Sequence, residues 1–157
     1  MTGLTARTKT TALIVATVVL LIADRLLKYL ALHTESVQNI FGDWFTFSLS
    51  HNTGIAFSLA DNYNVKWVIV LIALILLLFV YLKVKTKKYN EAIALSIILL
   101  GSLSNLFDRF IYGSVIDYFS FANLSVFNLA DCLIIAGAIL FIIYNKINEK
   151  NTLDKKP

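Results

Sequence analysis

Four apolar segments, separated by polar connections, divide this chain of 157 residues. An α-helix rises about 1.5 Å per residue, so about 20 apolar residues span the ~30 Å hydrocarbon core of a bilayer. Each segment is close to that length. We therefore expect an all-α membrane protein with four transmembrane helices in a single domain, residues 1–157. The predicted helices cover about residues 11–32, 65–82, 92–112 and 126–144.

The composition argues against the other broad classes of protein. Hydrophobic residues make up 58% of the chain and charged residues 15%, whereas average soluble proteins contain about 25% charged residues. A soluble domain of this size would have to expose large apolar patches. The low charge and the single proline are unlike a disordered chain. The single cysteine, Cys132, excludes a disulfide scaffold.

The positions of the lysines and arginines predict how the chain is oriented in the membrane. Ten of the fourteen lie in the N-terminal tail, the C-terminal tail or the connection between the second and third helices, whereas connections 33–64 and 113–125 contain none. Cytoplasmic segments of membrane proteins are enriched in Lys and Arg. We therefore expect both termini in the cytoplasm and loop 33–64 outside it. This bias accounts for the net charge of +4, so no nucleic-acid partner is expected.

The extracytoplasmic loop 33–64 carries a second pattern. Residues 41–50 alternate loosely between larger and smaller side chains, which is typical of short β-strands. A small β-containing region is therefore predicted between the first two helices. Trp44 in this loop and Trp67 at the start of the second helix are interpreted as aromatic anchors at the membrane interface.

Polar side chains recur at helical spacing in three of the predicted helices, all near the outer membrane boundary. Such groups are costly in hydrocarbon and usually face a bundle interior or a water-filled cavity. For any one set, a structural role in helix packing is the better interpretation. Three sets at one depth favour a functional site that opens outward. The sets are Asp24 with Lys28, Asn105 with Asp108 and Arg109, and Asn128 with Asp131.

Asp117 in the outer connection and Asp131 in the fourth segment form a candidate pair of carboxylates. The short connection between them can bring both to the membrane surface. Two close carboxylates share one proton, so one can act as a general base and the other as a general acid. A nucleophilic Ser or Cys lacks a nearby histidine base, and Cys132 is expected to face away from Asp131. No zinc motif is present, and a carboxylate-only metal site lacks ligands.

These residues alone leave three interpretations open. The first is an intramembrane aspartic endopeptidase. The second is a small transporter or ion-relay subunit that uses buried acids, although such a relay would spread its carboxylates across the whole span. The third is a non-catalytic helix bundle in which the polar residues serve only packing.

Four short blocks combine these polar residues with characteristic neighbours. They are D-x-x-x-K at Asp24–Lys28, N-x-G-x-A-F-S at Asn52–Ser58, N-x-x-D-R at Asn105–Arg109 followed by G-x-V-x-D-[FY] at Gly113–Tyr118, and F-N-x-A-D at Phe127–Asp131. In these blocks and in their order the chain resembles the bacterial lipoprotein signal peptidases, also called type II or prolipoprotein signal peptidases. It departs from the family at Ser104, where Gly is common, and at Ser125-Val126, where a Pro often precedes the last block.

The resemblance implies a role for each matching residue. Asp117 and Asp131 match the catalytic pair of the family. The residues that would position that pair, the water or the scissile carbonyl are Asn105, Arg109 and Asn128. Those that would support the fold and the site are Asp24, Lys28 and Asp108. Two residues belong to an outer-loop block near the substrate, Asn52 and Gly54.

The resemblance also implies a substrate and a location. The family cuts diacylglyceryl-modified prolipoproteins on the amino side of the lipidated cysteine and releases the signal peptide. We accordingly expect an enzyme of the bacterial cytoplasmic (inner) membrane with its active site near the outer leaflet. It would need no cofactor or metal, would contact membrane lipids, and would act as a monomer, since nothing in the sequence demands a partner chain.

Overall fold

A computed structural model of the chain describes residues 6–34, 36–42, 44–54, 65–122 and 124–153. The described residues form four long helices and four short strands. The helices are α1 (Ala6–Leu32), α2 (Val65–Lys85), α3 (Tyr89–Tyr112) and α4 (Leu129–Leu153), and the strands are β1 (Gln38–Phe41), β2 (Phe45–Asn52), β3 (Val115–Phe121) and β4 (Ser125–Phe127).

All four helices are long and apolar enough to cross a membrane. The mean hydropathy of their candidate spans is 2.0 for α1, 2.9 for α2, 1.4 for α3 and 1.8 for α4. The value is lowest in α3 because that helix carries Asn105, Asp108 and Arg109 near one end. The predicted set of four membrane-spanning helices is confirmed, whereas the side on which the termini lie stays a prediction.

The ends of the helices differ from the predicted bounds. α2 continues to Lys85 and α3 begins at Tyr89, because an apolar pattern marks only the hydrocarbon-spanning part of a helix. The predicted start of the fourth helix at 126 is wrong, since Val126 and Phe127 belong to β4 and α4 begins at Leu129. A short apolar run does not distinguish a strand from the start of a helix. Here residues Ser125–Phe127 form a strand because they pair with β3.

The strands form one antiparallel sheet in the order β1-β2-β3-β4. The predicted β-containing region in loop 33–64 is present as β1 and β2, and two further strands that were not predicted, β3 and β4, come from the connection between α3 and α4. The connection can form strands because Gly113 ends α3 in the left-handed conformation, with φ of 75°, which reverses the chain. Residues 55–64 of the predicted loop lie outside the described residues.

Helices α3 and α4 pack closely at two glycines. A Cβ on Gly101 would lie 2.7 Å from the carbonyl oxygen of Ala130, and a Cβ on Gly137 would lie 2.9 Å from that of Ala94. Small residues of this kind let membrane helices approach backbone to backbone. The contact at Gly101 therefore fixes the position of Ala130, the residue before Asp131, relative to α3. In contrast, Ala73 is the one buried side chain among the described side chains of α2.

Candidate active site

A buried lysine joins α1 to α3. Lys28, 3% exposed, places its Nζ 3.2 Å from Asp24 Oδ2 and 2.6 Å from Asp108 Oδ2. The same Nζ donates a hydrogen bond to Asn105 Oδ1 at 3.0 Å. Both carboxylates are fully buried. Because a buried charge is tolerated only when it is paired and hydrogen-bonded, these four predicted residues form one interdependent cluster.

Arg25 completes this cluster, although it is not among the predicted site residues. Its Nη1 lies 2.8 Å from Asp108 Oδ1 and its Nη2 lies 3.2 Å from Asp24 Oδ2. The two carboxylates are thus each shared by an arginine and Lys28. The signal for Arg25 in the sequence is the same as for Lys28, namely a basic residue within an apolar segment.

The two candidate catalytic carboxylates are held by asparagine side chains. Asn128 Nδ2 lies 2.6 Å from Asp117 Oδ1 and 3.1 Å from Asn105 Oδ1. Asn105 Nδ2 in turn donates to Asp131 Oδ1 at 2.7 Å. On the other side of Asp117, Asn52 Nδ2 donates to Oδ2 at 3.0 Å. The structure therefore brings together five of the predicted site residues, which come from β2, α3, β3 and the start of α4.

The start of α4 explains how Asn128 and Asp131 are fixed. The Asp131 N–H donates to Asn128 Oδ1 at 2.9 Å, and the Asn128 N–H donates to Asp131 Oδ2 at 3.2 Å. This reciprocal pattern is a capping box, in which the residue before the helix and the third helical residue satisfy each other's backbone groups. Asn128 thus precedes the helix, whereas the spacing had suggested that it lies within it.

Asp117 lies on β3, outside the membrane-spanning helices, and its side chain is buried. Burial raises the pKa of this carboxyl to about 6. Hydrogen bonds from Asn52 and Asn128 act in the opposite direction, and the nearby negative charge of Asp131 acts in the same direction as burial. Such a group can hold or release a proton close to neutral pH.

Arg109 points toward the second strand. Its Nη2 donates to the Gly54 carbonyl oxygen at 2.9 Å, so these two predicted residues also meet. The remainder of the block that contains Gly54, residues 55–58, lies outside the described residues. The Arg109 Nε is buried without a hydrogen-bond partner in the described part of the chain.

Two further residues near Asp24 were not predicted. Ser104 Oγ donates to Asp24 Oδ2 at 2.7 Å, and the Tyr118 hydroxyl donates to Asp24 Oδ1 at 3.0 Å. Ser104 is one helical turn from Asp108, so its spacing could have indicated it. Tyr118 carries no such signal, because its hydroxyl reaches α1 only through the tertiary fold.

Cys132 and His51 lie at the margin of the site. Cys132 is exposed, as expected for a side chain directed away from the half-buried Asp131. His51 Nδ1 lies 2.9 Å from Ser114 Oγ, and this contact joins β2 to the residue before β3.

Comparison with known proteins identifies the family. A family model described as Signal peptidase (SPase) II matches residues 16–146. A lipoprotein signal peptidase of Cellvibrio japonicus is 40% identical over 127 residues and aligns with 75% of each chain. Another, from Clostridium tetani, is 33% identical over 145 residues, which are 87% of this chain and 92% of the relative.

A solved structure shares the fold. A bacterial membrane enzyme, determined by the in meso method, superposes with a TM-score of 0.74 over 93% of this chain and 92% of its own, at 24% identity. The sequence matches confirm the resemblance seen in the four blocks and disfavour the ion-relay alternative. The chain therefore belongs to the signal peptidase II family and is an aspartic endopeptidase of the membrane.

Proposed function

We propose that this protein removes signal peptides from diacylglyceryl-modified prolipoproteins by cutting on the amino side of the lipidated cysteine, with Asp117 and Asp131 activating the attacking water. Family membership supports the substrate class. The observation that supports the residue assignment is that both carboxylates are held by neutral amide donors, whereas Asp24 and Asp108 are paired with cations.

The difference between amide and cation partners matters for the chemistry. A carboxylate paired with Lys or Arg stays ionised and is a poor proton carrier. Amide donors fix the orientation of a carboxylate without neutralising its charge. Asp117 and Asp131 are therefore free to hold one proton between them, because two neighbouring carboxylates resist being ionised together.

This shared proton is sufficient for peptide hydrolysis. The ionised carboxylate takes a proton from water, whose oxygen then attacks the scissile carbonyl carbon. The protonated carboxyl donates a hydrogen bond to the carbonyl oxygen as charge develops there. When the C–N bond breaks, the leaving amine receives a proton from the pair, which returns to its singly protonated state. Each step uses only water and the two carboxyl groups.

The remaining residues of the site support this pair. Asn105 and Asn128 hold the two carboxylates at a fixed separation, because each asparagine contacts the other and one or both of the acids. Asn52 fixes Asp117 from the side of β2. The buried Nε of Arg109 is available to a backbone carbonyl of the substrate. Rigid positioning of this kind lowers the cost of reaching the transition state.

The proposed location follows from the charge distribution. Both termini and the turn between α2 and α3 would lie in the cytoplasm of the bacterial inner membrane, and the sheet and site would lie near the outer leaflet. A single cysteine introduced by Ser36→Cys or Lys87→Cys, in a Cys132→Ser background, tests this. An impermeant maleimide should label the first on intact spheroplasts and the second only after lysis, and the reverse pattern would contradict the topology.

Cleavage of a synthetic diacylated prolipoprotein by the purified full chain, in detergent with a chelator present, tests the activity. Mass spectrometry should find the new amino terminus at the lipidated cysteine, with little cleavage of the unlipidated peptide. Asp117→Asn and Asp131→Asn should each lower the rate about 10³-fold or more, whereas Glu149→Gln, which removes an exposed acid of α4, should not. Normal cleavage by either Asp variant would overturn the dyad, and failure of the wild type to cleave would overturn the substrate assignment.

A further inference from the structure

Tyr118 is placed between the sheet and two helices. It follows Asp117 on β3, and successive side chains of a strand point to opposite faces. The Tyr118 side chain is fully buried, with its ring packed near Phe47 at 5.7 Å between centroids. Its neighbour therefore belongs to the candidate active site, while Tyr118 itself reaches behind that site.

The Tyr118 hydroxyl connects α1 to the first residue of α4. It donates to Asp24 Oδ1 at 3.0 Å and accepts a hydrogen bond from the Leu129 N–H at 2.9 Å. Burial, together with the negative charge of Asp24, raises the pKa of the Tyr118 phenol above its ordinary value. The phenol thus keeps its proton and remains a donor to Asp24.

Asp24 receives a second hydroxyl on its other oxygen. Ser104 Oγ donates to Oδ2 at 2.7 Å, and the Ala130 N–H donates to Oδ1 at 3.3 Å. Ser104 lies on α3, so Asp24 is held by α3 and β3 while it also holds the backbone of α4. Lys28 Nζ and Arg25 Nη2 also lie 3.2 Å from Oδ2, so the two hydroxyls fix the orientation of this carboxylate together with these cations.

The first N–H groups of a helix have no partner within the helix, and in α4 they are satisfied from β3, from α1 and from the residue directly before the helix. The Leu129 N–H donates to Tyr118, the Ala130 N–H to Asp24, and the Asp131 N–H to Asn128. Asp131 lies in this same turn, so any displacement of the turn moves its carboxyl relative to Asn105.

We infer that Ser104 and Tyr118 are positioning residues of the proposed peptidase site, whose hydroxyls hold the Asp24 carboxylate and through it fix the first turn of α4 and the Asp131 carboxyl. The inference rests on the proposed function for its effect on cleavage, but its structural part does not. Neither residue touches the reacting atoms. They act by locking the helix start that carries one of the two acids.

Tyr118→Phe tests this with the least disturbance, because the ring and its packing are retained and only the hydroxyl is lost. We expect kcat for the lipidated prolipoprotein to fall about tenfold, with KM changed less than about twofold, since loss of one hydrogen bond displaces the acid and leaves substrate binding intact. Ser104→Ala should lower kcat about threefold by the same route. Tyr81→Phe, on the exposed face of α2, and Ser96→Ala, on α3, are matched controls that should leave kcat unchanged.

Amide hydrogen exchange of the peptide containing Leu129 to Asp131 provides a readout that does not depend on activity. Exchange in this peptide should be about fivefold faster in Tyr118→Phe than in wild type, and unchanged in the control variants. Unchanged exchange and unchanged kcat in Tyr118→Phe would overturn the inference, as would a rise in KM without a fall in kcat. If Tyr118→Phe does not fold, Ser104→Ala decides by the same criteria. Faster exchange in a protein whose wild type does not cleave the substrate would retain the positioning role and reject the proposed function.

Discussion

Two buried ionic clusters lie at opposite ends of α3 and differ in construction. Near its C-terminal end, Asp108 meets Lys28 and Arg25 of α1. Near its N-terminal end, fully buried Glu91 meets Lys83 of α2 at 2.5 Å and accepts a hydrogen bond from Asn148 of α4 at 2.6 Å. The two acids are 17 residues apart in the sequence, about 25 Å along a helix.

The two clusters differ in how far their lysine side chains are exposed to solvent. At the Glu91 end, Lys83 and Lys88 keep 21% and 47% of their side chains exposed, so these cations reach the surface along their aliphatic stems. At the Asp108 end, Lys28 is only 3% exposed and its partners are fully buried. The first cluster ties three helices together at a surface. In the second cluster Arg25 is 36% exposed, but Lys28 has no such route to solvent, so Asp24 and Asp108 depend on it as their buried cation.

Lys28→Met is expected to have the largest effect, because it leaves the buried Asp24 and Asp108 with only the partly exposed Arg25 as a cationic partner. Removal of one partner from a buried ion pair costs about 3–5 kcal/mol, so we expect a large loss of folded protein and of activity. Lys83→Met is the matched change at the other end, and it should cost less because Lys88, 3.8 Å from Glu91, remains as a second cation. Thermal unfolding in one detergent measures both, and similar losses for the two variants would contradict the distinction.

The two glycines of the α3–α4 contact separate stability from activity. Gly101→Ala and Gly137→Ala each introduce a Cβ within 2.7 Å of another atom, so each should destabilise the protein by about 1–3 kcal/mol. Gly101 faces Ala130 beside the site, whereas Gly137 faces Ala94, near Glu91. Cleavage rate per folded molecule should therefore fall only in Gly101→Ala, and a similar fall in Gly137→Ala would show that the site depends on the whole helix contact.

The raised pKa of Asp117 predicts a pH dependence of stability at the site end. The folded protein binds this proton more tightly than the unfolded chain does, because burial raises the pKa from 3.8 to about 6. The stabilisation from this group is therefore present at low pH and is lost as the pH rises between about 4 and 6. The Tm of wild type should fall relative to that of Asp117→Asn across this interval, and a constant or opposite difference would contradict the raised pKa.

Glu91→Gln should have the smallest effect of the set. The glutamine oxygen still accepts the hydrogen bond from Asn148, and the two lysines can turn toward solvent, so the expected cost is about 1 kcal/mol or less. The cleavage rate should stay within about twofold of wild type, since the contacts of Glu91 in the described part of the chain, with Lys83, Lys88 and Asn148, lie away from the candidate site. Asp108→Asn, at the other end of α3, should reduce both stability and rate, and equal effects of the two changes would remove the contrast between the clusters.

Much of the fold and of the site could be predicted from the sequence, because membranes impose strong rules on length and polarity. The four helices follow from apolar length alone, and the polar residues of α1 and α3 follow from their spacing. The contribution of β3 and β4 to the sheet was missed, since a short apolar run next to a longer one is ambiguous. Arg25 could have been included on the same grounds as Lys28. The contact of Tyr118 with Asp24 could not, because 94 residues separate them.

The sequence by itself determined that this chain has four helices long and apolar enough to cross a membrane, and it marked the acids, amides and cations of α1 and α3 as candidates for one site, because charged groups in hydrocarbon are too costly to occur without a partner or a function. It also carried the four blocks that identify the family. Only the tertiary structure decided which acids are paired with cations and which are held by amides, because those partners come from different helices and strands. That division supports the proposed pair, Asp117 and Asp131, and it depends on the sheet and on the start of α4, which no local pattern specifies.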